Sequence, residues 1–209
     1  MSTPTITCSP NGPYIIRGLA TLGNSRGEPL ETKAVVALCR CGGSANKPYC
    51  DGTHKTNGFS DASPGGGKTS RRLTYRGKVI TVHDDRSICA HAGHCTDGLP
   101  AVFDSESQPW ITPDNATLEE ITAVVRRCPS GALTYSIGEV PQEESVATPA
   151  IEVTKNGPYA VTGGCELLNV PMALGAPVAR YTLCRCGASK NKPFCDGSHW
   201  DAGFSDERN

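Results

Sequence analysis

Two stretches of the sequence bring cysteine and histidine together in the same spacing. Each reads C-x-C, then eight residues, then C-x3-H. Thiolates and a neutral imidazole packed this closely form a metal site, because a cation offsets the cost of burying such ligands. The candidate ligands are Cys39, Cys41, Cys50 and His54 in the first stretch, and Cys184, Cys186, Cys195 and His199 in the second.

The spacing within each stretch predicts how the ligands are presented. Cys39 and Cys41 lie on one face of an extended segment, so they can share one metal. Cys50 and His54 are four residues apart and would face the same way on a short helix. Asp51 is a good N-cap for that helix, and Gly52 keeps the turn before it free of Cβ crowding.

The complete pattern resembles the CDGSH iron–sulfur family of mitoNEET-type proteins, whose motif ends in C-D-G-[S/A/T]-H. The resemblance implies one [2Fe–2S] cluster per motif, bound by three cysteines and one histidine. The matching residues are Cys39, Cys41, Ser44, Pro48, Cys50, Asp51, Gly52 and His54, repeated as Cys184, Cys186, Ser189, Pro193, Cys195, Asp196, Gly197 and His199.

A structural zinc site with the same Cys3His ligands is the alternative. Zinc ribbons usually pair two C-x2-4-C units, and this spacing differs from theirs, which favours iron–sulfur. We expect the Ser44 hydroxyl to donate a hydrogen bond to a cluster sulfur. We expect four neighbouring cations to be solvated: Arg40, Lys47, Arg185 and Lys192.

Three more cysteines, Cys89, Cys95 and Cys128, lie between the two stretches. The run C-x5-C, a helix, then C-P-x-G-A-L resembles the single-cluster bacterial ferredoxins, in particular their divergent mono-cluster branch. Bacterial ferredoxins read C-x2-C-x2-C with a remote Cys-Pro, and the second cysteine of that run would fall at Ala92. Alanine cannot ligate iron, so the three thiolates are expected to hold a cubane with one empty corner, [3Fe–4S].

A [4Fe–4S] cluster with a fourth ligand other than cysteine remains open at this site. His91 and His94 adjoin position 92 without occupying it, so we expect both to be exposed loop residues. His83 is expected to be a strand residue without a metal role. Cys8 and Cys165 belong to none of the three ligand groups.

Composition narrows the class of protein. The chain has 209 residues and a formal net charge of −1, which gives no basic footprint for nucleic acid. No apolar run approaches the length of a membrane span, and the first ten residues do not read as a targeting peptide. Nine of the eleven cysteines fall into the three ligand groups, which favours a reducing compartment. We therefore expect a soluble, cytoplasmic, bacterial protein.

The repeat extends beyond the ligands with a constant offset of 145 residues. N-G-P-Y occurs at 11–14 and 156–159, and G-F-S-D at 58–61 and 203–206. N-G-P-Y is typical of a turn. Each repeat is predicted to contain two strands, at Tyr14–Arg17 and Ala34–Leu38 and at Tyr159–Thr162 and Val178–Leu183.

The sequence predicts an α+β protein in which two small β-rich CDGSH modules flank a small ferredoxin-like α+β domain. The central domain is expected to contain a hairpin, Arg71–Tyr75 with Val79–His83, and a helix from about Leu118 to Arg127. Thr117 and Glu120 form a predicted capping box for that helix. The predicted division is a first module at 1–61, a Gly-rich linker at 62–69, the ferredoxin-like domain at 70–137, an acidic linker at 138–150 and a second module at 151–209.

Modules of this size bury little surface, so each needs a packing partner. We expect the two modules to pair within the chain around a pseudo-twofold axis, which makes the protein a monomer. Independent modules on a string are the alternative.

The predicted function is electron transfer by two [2Fe–2S] clusters and one [3Fe–4S] cluster, without enzymatic activity. The ferredoxin resemblance implies redox partners such as a reductase or a P450-type acceptor; neither nucleic acid nor membrane partners are expected. The alternative is a cluster donor or a redox or iron sensor with labile His-ligated clusters. A subunit of a larger oxidoreductase is a third possibility.

Overall fold

The structure is a computed structural model that describes residues 3–63, 71–142, 148–172, 177–207 and 209. Short strands make up most of its regular structure, and helices are few. Within this described part of the chain, no helix is both long and apolar enough to cross a lipid bilayer.

The first module (residues 1–61) forms four short strands. They are β1 (Thr5–Cys8), β2 (Tyr14–Arg17), β3 (Thr21–Asn24) and β4 (Val35–Leu38). β1, β2 and β4 form an antiparallel sheet, whereas β3 pairs elsewhere. Buried residues alternate along β2, at Tyr14 and Ile16, as expected for a strand with one face on a core.

The central domain is a four-stranded antiparallel sheet with a helix packed on it. Its elements are β5 (Arg72–Arg76), β6 (Ile80–Asp85), α1 (His94–Gly98), α2 (Leu118–Arg126), β7 (Leu133–Ile137) and β8 (Val140–Pro141). α2 buries Ile121, Val124 and Val125, and the predicted capping box between Thr117 and Glu120 is present. β8 extends this sheet beyond the predicted boundary at residue 137.

The second module repeats the first and begins one residue before the predicted boundary at 151. Its elements are β9 (Ala150–Val153), β10 (Tyr159–Thr162), β11 (Glu166–Leu168), β12 (Arg180–Leu183) and the short helix α3 (Ser198–Asp201). β9, β10 and β12 form an antiparallel sheet in the same manner as β1, β2 and β4.

The remaining strand of each module completes the sheet of the other. β3 pairs parallel with β9, with Leu22 opposite Ile151, and β11 pairs parallel with β1, with Leu167 opposite Ile6. The apolar faces of both sheets form one core cluster with contributions from both modules. Each sheet therefore has four strands only because one of them comes from the other half of the chain.

Two buried tyrosines cross between the modules at the centre of this core. The Tyr14 hydroxyl lies 2.7 Å from the carbonyl oxygen of Cys184 and 3.0 Å from that of Pro193. The Tyr159 hydroxyl makes the reciprocal contacts with Cys39 and Pro48, at 2.8 and 3.0 Å. The two rings meet edge to face, with centroids 6.0 Å apart. Each tyrosine thus donates to the backbone that carries a predicted ligand of the opposite module.

The predicted strands, hairpin and long helix are confirmed to within a few residues. β1, β3, β9 and β11 were not predicted. Two of them, β3 and β11, are the strands that each module contributes to the sheet of the other. Most of the predicted Gly-rich linker, residues 64–69, and residues 143–147 of the acidic linker lie outside the described residues.

We expect Tyr14→Phe to lower the free energy of unfolding by about 1–3 kcal/mol, because it leaves a buried carbonyl without its donor. Urea unfolding followed by circular dichroism measures this loss. Tyr49→Phe is the matched control, since the Tyr49 hydroxyl donates to Glu31 at the surface and Phe194 already occupies the repeat position. A similar loss in both variants would show that the hydrogen bonds between the modules stabilise the fold no more than a surface hydrogen bond does.

Candidate cluster-binding sites

The first site is assembled where the chain leaves β4 and folds back beside it. The backbone N–H of Cys50 donates to Ala37 in β4, so the two ends of the motif are held side by side. The Sγ atoms of Cys39 and Cys41 lie 3.8 Å apart, and Cys50 Sγ lies 3.4 Å from His54 Nδ1. All four predicted ligands of the first stretch are therefore arranged as two pairs.

The second site repeats this geometry. The sulfurs of Cys184 and Cys186 are 3.6 Å apart, and Cys195 Sγ lies 3.4 Å from His199 Nδ1. His199 is buried, whereas His54 is only half-buried.

The pair distances match two ligands on one tetrahedral metal. With metal–sulfur bonds of about 2.3 Å and metal–nitrogen bonds of about 2.0–2.1 Å, such ligands lie about 3.5–3.8 Å apart. Among the described residues, no three His, Cys, Asp or Glu side chains converge closely enough to hold a single metal ion. Two ligand pairs, each spaced for one metal, fit a two-iron cluster.

Backbone N–H groups point at the ligand sulfurs. Cys39 accepts hydrogen bonds from the N–H groups of Ser44 and Gly42, and Cys186 accepts one from Ala188 at 3.4 Å. These donors lower a thiol pKa, but burial dominates and raises the pKa of Cys39 to about 11 and of Cys195 to about 12. Because thiolates are the ligands, metal binding at these sites must displace protons.

Asp51 organises the loop before the metal-ligating histidine, though not as the expected N-cap of an α-helix. Cys50 precedes a short 3₁₀ turn, Thr53–Lys55, which Gly52 caps with a left-handed backbone at φ +93°. The Asp51 carboxylate accepts hydrogen bonds from the Thr53 N–H and hydroxyl and from the Ala45 N–H. These bonds hold the pKa of this carboxyl well below its usual range and tie the two halves of the motif together.

The prediction that Ser44 donates to a cluster sulfur is wrong. Its buried hydroxyl donates to the Tyr49 carbonyl at 2.7 Å and accepts from the Asn46 N–H at 3.0 Å. Ser189 makes the same two contacts in the second module. The motif serine therefore fixes the loop that carries the third cysteine.

The prediction that Arg40 and Arg185 are solvated is also wrong, because both are buried. Arg40 donates to the Ser9 carbonyl and pairs with Asp61 at 3.3 Å. Arg185 donates to Gly157 and Thr154 carbonyls and pairs with Asp206. The repeated G-F-S-D segment supplies both aspartates, which explains why it recurs with the motif.

The two sites meet through their second cysteines. Cys41 and Cys186 form an antiparallel backbone bridge across the module boundary. Gly42 and Gly187 follow them with φ of +76° and +80°. A Cβ atom on Gly42 would lie 2.5 Å from the Cys186 carbonyl oxygen, so only glycine permits this approach.

The three cysteines of the central domain line one cavity of about 250 Å³. Ala92 lies on the same cavity wall, as do His91 and His94. Cys89 accepts a hydrogen bond from the His91 N–H at 3.4 Å, and the Arg86 guanidinium lies 3.9 Å from its sulfur. The cavity, its thiol donors and the nearby cation fit an anionic iron–sulfur cluster.

Several other predictions can be placed. His83 lies on β6 and its ring nitrogens contact Thr74 and Ser136 hydroxyls, in agreement with a role in the strand. Cys8 and Cys165 pack in the core shared by the modules, and burial raises the pKa of Cys165 to about 11. Arg86 was missed because nothing in its sequence neighbourhood distinguishes it from a solvated charge.

Comparison with known proteins shows which families the three parts of the chain match. A family model described as an iron-binding zinc finger of CDGSH type matches residues 11–55 and 156–200. A second, described as a divergent 4Fe-4S mono-cluster, matches residues 75–138. The uncharacterized protein YjdI of Escherichia coli K12 is 39% identical over 61 residues, which is 29% of this chain and 80% of YjdI. YjdI of Escherichia coli O157:H7 matches equally. No solved structure matches.

Removing the acidic partner should cost more in the second module than in the first. Asp206→Ala leaves Arg185 buried without a counter-charge, for which we expect a loss of about 3–5 kcal/mol in the free energy of unfolding. Asp61 is 29% exposed, against 2% for Asp206, so water can replace part of the lost interaction and Asp61→Ala should cost less than Asp206→Ala. Urea unfolding of both variants tests the difference; equal losses would contradict it.

Proposed function

The chain belongs to the CDGSH iron-binding family, and from this premise we propose that it is an electron-transfer protein with three cluster sites. A divergent mono-cluster domain lies between its two CDGSH copies. Iron–sulfur clusters supply one-electron chemistry when bound. The protein supplies the cysteine and histidine ligands, excludes water from the sites and sets the distance between them. We further propose that the two modules form an intramolecular pseudo-dimer and that the working unit is a monomer.

The contact between Cys41 and Cys186 is the observation that carries the proposal. Electron transfer weakens steeply with distance, and this backbone bridge brings ligands of both CDGSH sites next to each other. The exchange of β3 and β11 and the crossing tyrosines fix that approach. Such a rigid juxtaposition suits a relay between sites, because it costs no rearrangement at each transfer.

The surroundings of the ligands suit redox centres. Hydrogen bonds to cluster sulfurs, net charge and burial set reduction potentials. Backbone N–H groups reach Cys39 and Cys186, and Arg86 places a cation beside Cys89. These groups favour the more negatively charged, reduced state at each site and would raise its potential. The physiological partners we propose are a reductase and a P450-type or similar acceptor.

For the central site we propose a three-iron cluster on Cys89, Cys95 and Cys128. Ala92 lines the cavity with these cysteines but supplies no donor atom. His91 also lines the cavity, but its ring packs against Gly197 in the second module, where an added Cβ would lie 2.8 Å from the ring, and we assign the ring to that contact.

The half-buried His54 favours a second candidate function, that of a cluster donor. A partly exposed histidine ligand can be reached by an acceptor protein, whereas His199 is buried. Donation predicts transfer of intact clusters from the first module to an apo acceptor. Electron transfer predicts that iron stays bound through repeated cycles.

Anaerobic reductive titration with iron and sulfide analysis tests the proposed function. We expect about seven iron atoms per chain, two from each CDGSH site and three from the central site, and reversible reduction without iron loss. About eight iron atoms would indicate a complete four-iron cluster. Zinc in place of iron, or clusters lost on the first reduction, would contradict electron transfer.

Ala92→Cys tests the composition of the central cluster. It restores the ferredoxin run C-x2-C-x2-C, so the variant should gain about one iron per chain and lose the EPR signal of an oxidised three-iron cluster. Ala90→Cys is the control, since Ala90 is buried one residue after Cys89 and stands outside the ferredoxin spacing. A four-iron spectrum in the anaerobic wild-type protein would refute the three-iron assignment.

A further inference from the structure

The loop that carries Cys89 lies against the ligand loop of the second module. His91, at φ +53°, donates its N–H to Cys89 Sγ at 3.4 Å. Its carbonyl accepts a hydrogen bond from Trp200 Nε1 at 3.3 Å. Its ring lies over Gly197, where an added Cβ would meet ring atom Cδ2 at 2.8 Å. One residue therefore contacts a predicted ligand of the central site and the loop that presents His199.

Further contacts fix this boundary. The buried Asn191 side chain donates to the Ser87 carbonyl at 2.8 Å, two residues before Cys89. The Arg180 guanidinium donates to carbonyl oxygens of Leu133 and Arg126 in the central domain. A cavity between the two units is lined by both Cys128 and His199. The central site and the second CDGSH site thus share one boundary held at several points.

The repeat-equivalent positions of the first module have different surroundings. Asn46 corresponds to the buried Asn191 but is exposed. Lys55 corresponds to Trp200, whose indole N–H donates to His91. Gly52 corresponds to Gly197, and nothing lies within 4 Å of a Cβ built on it. The consequence is a difference between the histidine ligands: His199 is 5% exposed, whereas His54 is half-buried.

We propose that His91 is a positioning residue that couples the central site to the second CDGSH site. The first CDGSH site, with the half-buried His54, is then the end of the series that faces a partner protein. The three sites then form an ordered series, central, second, first, joined at His91 and at the Cys41–Cys186 bridge. Each transfer moves one electron from a reduced site to an oxidised one and makes or breaks no bond. A one-electron redox protein supplies or removes the electron at either end. This inference rests on the proposed electron-transfer function.

The pair Gly197→Ala and Gly52→Ala isolates the His91 contact. Both glycines have left-handed backbones, at φ +86° and +93°, so alanine introduces the same strain in each variant. The added methyl group displaces His91 only at position 197. Comparison of the two therefore separates the contact from the backbone effect.

The measurement is made on the iron-loaded full-length chain. Iron content and the visible spectrum establish that both variants assemble their clusters. Stopped-flow reduction with freeze-quench EPR then follows equilibration between the central and CDGSH signals. We expect Gly197→Ala to slow equilibration on the order of tenfold, since small displacements have large effects on positioned groups. It should also weaken the spin relaxation coupling between the two centres. Gly52→Ala, which introduces the backbone strain without the His91 contact, should change both quantities less.

His91→Gly gives an independent test if Gly197→Ala loses iron. Glycine keeps the left-handed backbone and the N–H donated to Cys89 but removes the ring, so equilibration should again slow. Asp97→Asn is its control, because Asp97 is an exposed residue of α1 that does not line the central cavity. Equal equilibration rates in His91→Gly and the wild type, or in both glycine variants, would overturn the proposed junction. Irreversible reduction of the wild type would instead overturn the electron-transfer function itself.

Discussion

The exchange of β3 and β11 is the constraint on which the rest of the structure depends. Neither CDGSH module has a complete four-stranded sheet of its own, because each receives a parallel strand from the other. Modules of this size bury too little apolar surface to be stable alone. The shared core supplies that burial, and the crossing tyrosines Tyr14 and Tyr159 extend it to the backbone beside Cys184 and Cys39. Folding and the placement of ligands are therefore one process.

The arginine of the motif connects the ligands to this core. Arg40 and Arg185 stand between the two cysteines of C-x-C, yet their side chains are buried. Arg40 lies 5.3 Å from the centroid of Tyr14, and Arg185 lies 5.7 Å from that of Tyr159. Each guanidinium is also paired with an aspartate, Asp61 or Asp206. The same side chain thus connects the segment between two predicted ligands to the shared core.

Structural features that depend on a local sequence pattern could be predicted. The ligand spacing, the capping box at Thr117 and the strand containing Tyr14 depend on neighbours in the chain, and these predictions match the structure. Contacts set by distant segments could not be predicted. Ser44 could bond to a sulfur or to its own loop, and only the fold selects the Tyr49 carbonyl. The strand exchange and the contact of His91 with Gly197 pair residues more than 100 positions apart.

Fusion of the two modules into one chain has a consequence for how they can change. In a symmetric homodimer, every substitution appears twice, and an isologous contact must tolerate both copies. Here equivalent positions have different contacts. Asn191 and Trp200 contact the central domain, whereas Asn46 and Lys55, at the same positions of the first module, are exposed. Covalent linkage also keeps the halves together at a high effective concentration, whatever the dilution of the protein. The second module can therefore acquire residues that contact the inserted domain, while the equivalent surface of the first module stays exposed.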